Sequence, residues 1–290
     1  MAVGPYGALL EAVRGVRWPA RRVVAGGAPG VHPARTRGVS SEFVEYRPYR
    51  QGDDPRRLDW KLLARSDRAF IRLAPDRAVI GTLIAVDASA SMAFPIPGLG
   101  KWVAAKRLAV ACAAIAHGAG DPVGLAVAGP GGLARFAART RRGVVAEIAR
   151  TLDSITPAGS PSLAESFVGA SSRVLLISDC LGDLGALRRA ARAHVAAGCE
   201  VHVAHVVARE ELEPGRTAIL ATDPEDATLT RPLTAQVHAA YRAAFDEWRA
   251  EVARGWHADG VAYQEVVDDE SADVAVRRIV SAPAGAGGRA

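Results

Sequence analysis

Val79-Ile80-Gly81-Thr82-Leu83-Ile84-Ala85-Val86-Asp87-Ala88-Ser89-Ala90-Ser91-Met92 decides how the rest of this chain is read. An apolar run stops at an acid, and two hydroxyls follow at alternate positions. A hydrophobic stretch of this length, cut off by small polar residues, reads as a strand buried on both faces, as in a parallel sheet. In an open α/β sheet, the loops leaving the C-terminal strand edges line the ligand crevice. Extended chain sends alternate residues to one side, so Asp87, Ser89 and Ser91 are expected to converge. Their oxygens are hard donors, suited to Mg²⁺ rather than to a thiolate-preferring metal. The competing reading is structural: the same residues cap the next helix and satisfy a turn.

Downstream, the pattern returns. Val174-Leu175-Leu176-Ile177 is a second apolar run that ends at Ser178-Asp179. Asp87 and Asp179 therefore occupy two strand ends, which in a doubly wound sheet face one crevice. The loop Gly159-Ser160-Pro161-Ser162 offers a further hydroxyl. Further strands are expected at 123–128, 201–207 and 261–267, with a short edge strand at 133–137. Helices are expected at 101–117, 144–152 and from 184 to the glycine at 198. A long amphipathic helix follows residue 234, with Val237, Tyr241, Phe245, Trp248 and Val252 on its buried face, and a hairpin is expected over 217–229. Alternating strands and helices predict an α/β, doubly wound, mostly parallel sheet. The domain organisation read from this is a β-rich N-terminal extension over 1–77, the α/β domain over 78–281 and a Gly/Ala tail over 282–290.

Composition narrows the function classes. The chain has 290 residues, 49% hydrophobic and 23% charged, enough for one α/β domain and a smaller unit. No apolar run approaches the roughly 20 residues that span a bilayer, so no membrane span is expected. The start lacks a basic region followed by a long apolar core, and the three cysteines have no metal-ligand spacing; both point to the cytoplasm. No Gly-rich loop with a following Lys-Ser or Lys-Thr is present, so nucleotide hydrolysis by this chain is not expected. Residues 1–77 hold 15 Lys and Arg against 8 Asp and Glu, an excess of +7, which leaves −2 for the rest of a chain of net charge +5.

That basic excess is interleaved with acids. Arg47, Arg56, Arg57 and Arg65 alternate with Asp53, Asp54 and Asp59. Opposite charges so placed usually pair with one another. The functional alternative is a docking surface of Trp60, Tyr49 and the arginines. Nucleic acid ranks third, because the acids repel phosphates.

The residues quoted so far resemble a known family. Asp87-Ala88-Ser89-Ala90-Ser91, with a later strand ending at Asp179, is similar to the metal-ion-dependent adhesion site of von Willebrand factor A domains. Gly38, Glu42-Phe43, Arg47, Tyr49, Gly52-Asp53-Asp54, Arg56, Leu58-Asp59-Trp60 and Ala64-Arg65 resemble the signature of the bacterial domain of unknown function 58 family. The resemblance covers roughly residues 30–270. It implies a von Willebrand factor A-like fold, no established enzymatic activity, and a role as adaptor or chaperone-like partner of a MoxR-type AAA+ ATPase or its client. It also implies Mg²⁺ held by Asp87, Ser89, Ser91 and Asp179. Where the family has Gly-Gly-Thr, Pro161 takes the Thr position, so Ser160 or Ser162 stands in. The expected function is a cytoplasmic, non-enzymatic interaction module. The alternatives are a metal-assisted hydrolase, and nucleic-acid or anionic-surface binding through the Arg-rich segment.

Overall fold

The run ending at Asp87 forms strand β1, Thr82–Asp87, buried along its whole length. In this computed structural model the described residues are 4–20, 29–33, 45–51, 53, 55, 58–73, 77–169, 172–214, 220–222, 230–232 and 235–283. The chain divides into two compact units, Met1–Trp18 with Gly81–Ala290, and Pro19–Ile80. The N-terminal helix therefore groups with the sheet domain, not with the charged segment that the sequence reading joined to it.

β1 is flanked by parallel strands on both sides. On one side lies β2, Val123–Gly129, followed by antiparallel β3, Gly132–Arg139. On the other lie β4, Arg173–Ser178, then β5, Glu200–Val207, then β6, Ala262–Val267, all parallel. The spatial order is β6-β5-β4-β1-β2-β3. After β1 the chain builds outward through β2 and β3, then crosses back to begin β4. The reversal point lies between β1 and β4, where open α/β sheets form their ligand crevice.

Alternation along β1 feeds two cores. Ile84 and Val86 join one, Leu83 and Ala85 the other. The first core holds helices α1 (Gly7–Ala12), α2 (Gly100–Gly118), α3 (Val144–Asp153) and α7 (Ala272–Ser281). Helix α2 is apolar on most sides because it lies under other helices as well as on the sheet. The opposite core holds α4 (Leu184–Ala196) and the last turns of α6 (Ala235–Ala258), with Trp256 fully buried. Asp183 caps α4, its Oδ1 accepting from Ala186 N at 2.8 Å. A short helix α5, Arg209–Leu212, follows β5.

Helix α6 departs from expectation. Val252 is buried, but Val237 is 40% exposed, and Tyr241, Phe245 and Trp248 are half-buried in a stack with 5.5 Å spacings. Twenty-four residues rise about 36 Å. The eight residues of β5 extend only roughly 27 Å, so the helix outruns the sheet. The hairpin pairs Leu220–Thr222 with Thr230–Pro232, three residues later than read; residues 223–229 and 284–290 lie outside the described residues.

Strand β3 is the exposed edge. Its Arg135 guanidinium donates to the carbonyls of Val168 and Gly169, and Arg139 lies over the Phe136 ring at 5.9 Å.

In the unit Pro19–Ile80, Pro29–Pro33 pairs with Arg77–Ala78 and Glu45–Pro48 pairs with Phe70–Leu73, both antiparallel. Helix Trp60–Ser66 starts at Asp59, whose Oδ1 accepts from Lys61 N and Leu62 N, both at 3.0 Å. Arg47 pairs with Asp53 at 2.8 Å. That pair and the Asp59 cap account for part of the charge lattice; Asp54, Arg56 and Arg57 lie outside the described residues. Trp60 is 63% exposed.

Candidate functional site

Because β1 and β4 are parallel neighbours with Val86 opposite Ile177, the next residue of each strand, Asp87 and Ser178, meets its counterpart at the rim. Ser178 Oγ donates to Asp87 Oδ2 at 2.7 Å, and Ser89 N donates to Oδ1 at 2.9 Å. Ser89 Oγ and Ser91 Oγ lie 3.0 Å apart. Asp87 is 7% exposed. Burial, and then the charge of nearby Asp179, raise its carboxyl above the ordinary value, against the hydrogen bonds from Ser178 and Ser89. Among the described residues no cation lies within salt-bridge distance of it.

The loop over 157–162 is laced to the β1 loop. Ala158 N donates to Ala88 O at 3.0 Å, and Ala90 N donates to Gly159 O at 2.8 Å. Gly159 has φ +69°, which an L side chain rarely adopts. This brings Ser160 and Ser162 to the wall of a cavity of about 410 Å³ that also meets Asp87, Ser89 and Ser178. Leu163, Leu184 and Leu187 line its apolar side. Cys180, another lining residue, holds φ 59°, uncommon for a side-chain-bearing residue. Its N–H donates to Ser178 Oγ at 3.0 Å, which fixes the turn that carries the chain past Asp179.

Asp179 lies at the same rim but not on the cavity wall. It is 2% exposed. Its Oδ2 accepts from Lys101 Nζ at 2.8 Å, and its Oδ1 from Leu181 N at 3.2 Å. Lys101 also donates to Glu211 Oε1 at 2.8 Å. Burial lowers the affinity of this ammonium for its proton, but the two carboxylates outweigh burial and the net shift is upward. Ser91 is likewise buried off the wall.

All five residues singled out in the sequence thus gather at one strand rim, Asp87, Ser89 and Ser160 on the cavity and Ser91 and Asp179 beside it. Ser178, Lys101 and Glu211 were not read as site residues, although Ile177-Ser178-Asp179 and the charged stretch from Glu210 to Gly215 also fit the family pattern. Ser178 carried a readable signal: adjacent parallel strands that both stop at polar residues set their last residues side by side. Lys101 is the one early charge in a helix otherwise apolar at that end. The charged stretch around Glu211 gave no sign of its partner, which is 110 positions away.

The donors suit a hard cation in kind: the buried Asp87 carboxylate with hydroxyls around it, and Asp183, the cap of α4, also on the wall. Among the described residues, no group of three or more His, Cys, Asp or Glu forms a metal-binding array. His205, on β5 beside the site, is buried, contacts Tyr263 Oη at 2.7 Å through Nδ1 and is held down to about 4 by burial. It is not among the cavity-lining residues.

Fold and site together define an α/β protein with a carboxylate–hydroxyl cavity at the reversal point of its sheet. Residues 45–253 match the family described as protein of unknown function DUF58, and the chain belongs to that family. It is 29% identical over 189 residues to the uncharacterized proteins Rv1480 of Mycobacterium tuberculosis and Mb1516 of Mycobacterium bovis, covering 62% of this chain and 60% of each relative. It therefore spans less than two thirds of those relatives. Among solved structures it is similar to the conserved hypothetical protein BatB from Bacteroides thetaiotaomicron, at 20% identity and TM-score 0.45 over 70% of this chain and 97% of that one. It is also similar to an aerotolerance-related membrane protein from Bacteroides fragilis, at 19% identity and TM-score 0.43 over 69% and 98%. Among the described residues of the present chain, no helix is long and apolar enough to cross a membrane.

Proposed function

We propose that the sheet domain is a von Willebrand factor A-like interaction module that binds a partner protein through a divalent cation, Mg²⁺, held at Asp87. The observation that carries this reading is a buried carboxylate, 7% exposed, facing a cavity of about 410 Å³ without a cation of its own among the described residues. A buried carboxylate is costly unless a positive group or donors offset it. Here Ser178 and Ser89 offset it only in part. Asp87, Ser89 and Ser91 would hold the cation, with Ser160 or Ser162 in the place of the missing Thr. When bound, Mg²⁺ supplies open coordination positions that suit a carboxylate from another chain. The residues of this chain do the rest: Ser178 orients Asp87, and the paired loops hold the hydroxyls opposite it.

The role proposed is docking rather than catalysis: the hydroxyls of Ser89, Ser160, Ser162 and Ser178 around Asp87 suit holding an ion, and a carboxylate engaged as an ion ligand is not free to act as a base. Cys112, Cys180 and Cys199 are free thiols, which suits a reducing cytoplasm. The partner proposed is a MoxR-type AAA+ ATPase or its client. Capture of a purified MoxR-type ATPase from the same organism tests the reading, with Mg²⁺ or with EDTA. Capture that needs Mg²⁺ and is lost in Asp87→Ala supports it; capture indifferent to both removes the metal role.

A further inference from the structure

Two acids share this rim, yet they are treated oppositely. Asp87 faces the cavity with neutral donors only. Asp179 has both oxygens engaged, Oδ1 by Leu181 N and Oδ2 by Lys101 Nζ. Lys101 is 0% exposed in the first turn of α2, and its second carboxylate, Glu211, is fixed by accepting from Ala208 N at 2.7 Å through Oε2. Phe94 closes over the ammonium, with its ring centroid 5.8 Å from Nζ. An ammonium buried this completely is retained only where its carboxylates hold it firmly. Three elements distant in sequence supply this cage: the start of α2, the end of β4 and helix α5.

We propose that Lys101 is a built-in cation that takes Asp179 out of the donor set and so sets the affinity of the site for a divalent ion. This rests on the metal reading above. With Lys101 in place, an incoming cation meets Asp87 at the strand rim, while the second rim acid, Asp179, is already paired with the ammonium. Without the ammonium, Asp179 joins Asp87 in attracting the ion. Like charges repel and opposite charges attract steeply at these distances in a partly desolvated site. Lys101 is thus a positioning residue: it acts on the ion through Asp179. The arrangement favours a weak, exchangeable ion, as a reversible docking site requires, over a permanently seated one.

The test is calorimetric titration of the full chain with Mn²⁺ and with Mg²⁺. Lys101→Met alone strands two buried acids, so the informative variant is Lys101→Met/Glu211→Gln, which leaves net charge unchanged while freeing Asp179. Lys101→Gln/Glu211→Gln, which keeps a hydrogen-bond donor, serves if the first pair does not fold. The expected result is affinity at least ~10-fold tighter than wild type, with the gain lost when Asp179→Asn is added. Binding by the pair variant alone, with none by wild type, also supports the role of Lys101 but overturns the metal reading for the native chain. Equal or weaker binding by the variant, with wild type binding, overturns the inference and leaves the metal reading standing. No binding by either overturns both.

Discussion

The Ser178 hydroxyl donates to Asp87 Oδ2 at 2.7 Å, joining the ends of two strands that lie 91 positions apart in the chain. The same oxygen accepts from Cys180 N at 3.0 Å. One small side chain therefore gives a buried carboxylate one of its donors and pins the left-handed turn after Asp179. Ser178→Ala removes both contacts and leaves a buried N–H and a buried carboxylate each short of a partner. We expect a loss of about 1–3 kcal/mol. Urea unfolding should show a lower midpoint with an unchanged slope.

Asp87 makes stability depend on pH. Burial, then the charge of Asp179, holds its carboxyl above the ordinary value in the folded protein. The folded, cation-free chain therefore binds this proton more tightly than the unfolded chain does. Its contribution is fully present below the unfolded carboxylate value of about 3.9. It is lost as pH rises through the raised folded value. Asp87→Asn keeps an acceptor for Ser89 N and removes the charge. In EDTA it should be more stable than wild type at pH 7, by about 1–3 kcal/mol, and the difference should shrink as pH falls towards 4. A thermal-melt series over pH 4–8 reads both signs. Added Mg²⁺ should stabilise wild type and leave the variant unmoved.

Gly124 lies in β2 where the β2–β3 register shifts. A Cβ there would approach Ala138 N at 2.8 Å and Phe136 O at 2.9 Å, both backbone atoms of the edge strand. Backbone cannot swing aside as a long side chain can. Gly124→Ala should cost about 1–3 kcal/mol. Amide exchange in Gly132–Arg139 should accelerate more than exchange in β4.

Asp59 caps helix Trp60–Ser66 through Lys61 N and Leu62 N, and its Oδ2 accepts from Tyr46 Oη at 2.8 Å. Asp59→Ala should destabilise the helix by about 1 kcal/mol. Faster exchange confined to residues 61–66 and their neighbours is the expected readout.

Much of this was legible because the decisive signals are local. An apolar run that stops at Asp87, and another that stops at Asp179, announce strands buried on both faces with polar ends. Parallel pairing then places those ends together without any further information. Helix α2 was legible for the same reason, apolar on most of its circumference. What the pattern did not disclose is how charge is distributed once the ends meet. Nothing near Lys101 tells that its ammonium joins Asp179 and Glu211, because those contacts come from sequence separations of 78 and 110. Nor does periodicity report length against a sheet: Val237 and Val252 fall near one helical stripe, but Val252 is buried and Val237 is 40% exposed. The N-terminal helix was assigned by nearness in sequence to the charged segment, whereas Tyr6 Oη donates to Asp153 Oδ1 at 2.8 Å, 147 positions on.

The exposed strand Gly132–Arg139 carries a last implication. A bare strand border invites a second chain to add itself there by backbone pairing. Guanidinium groups at Arg135 and Arg139 make such an addition bury positive charge, and Arg135 is already committed to the carbonyls of Val168 and Gly169. The border is thereby guarded against fibre-like growth, and replacing these arginines with threonine should surface first as loss of solubility on concentration rather than as loss of fold.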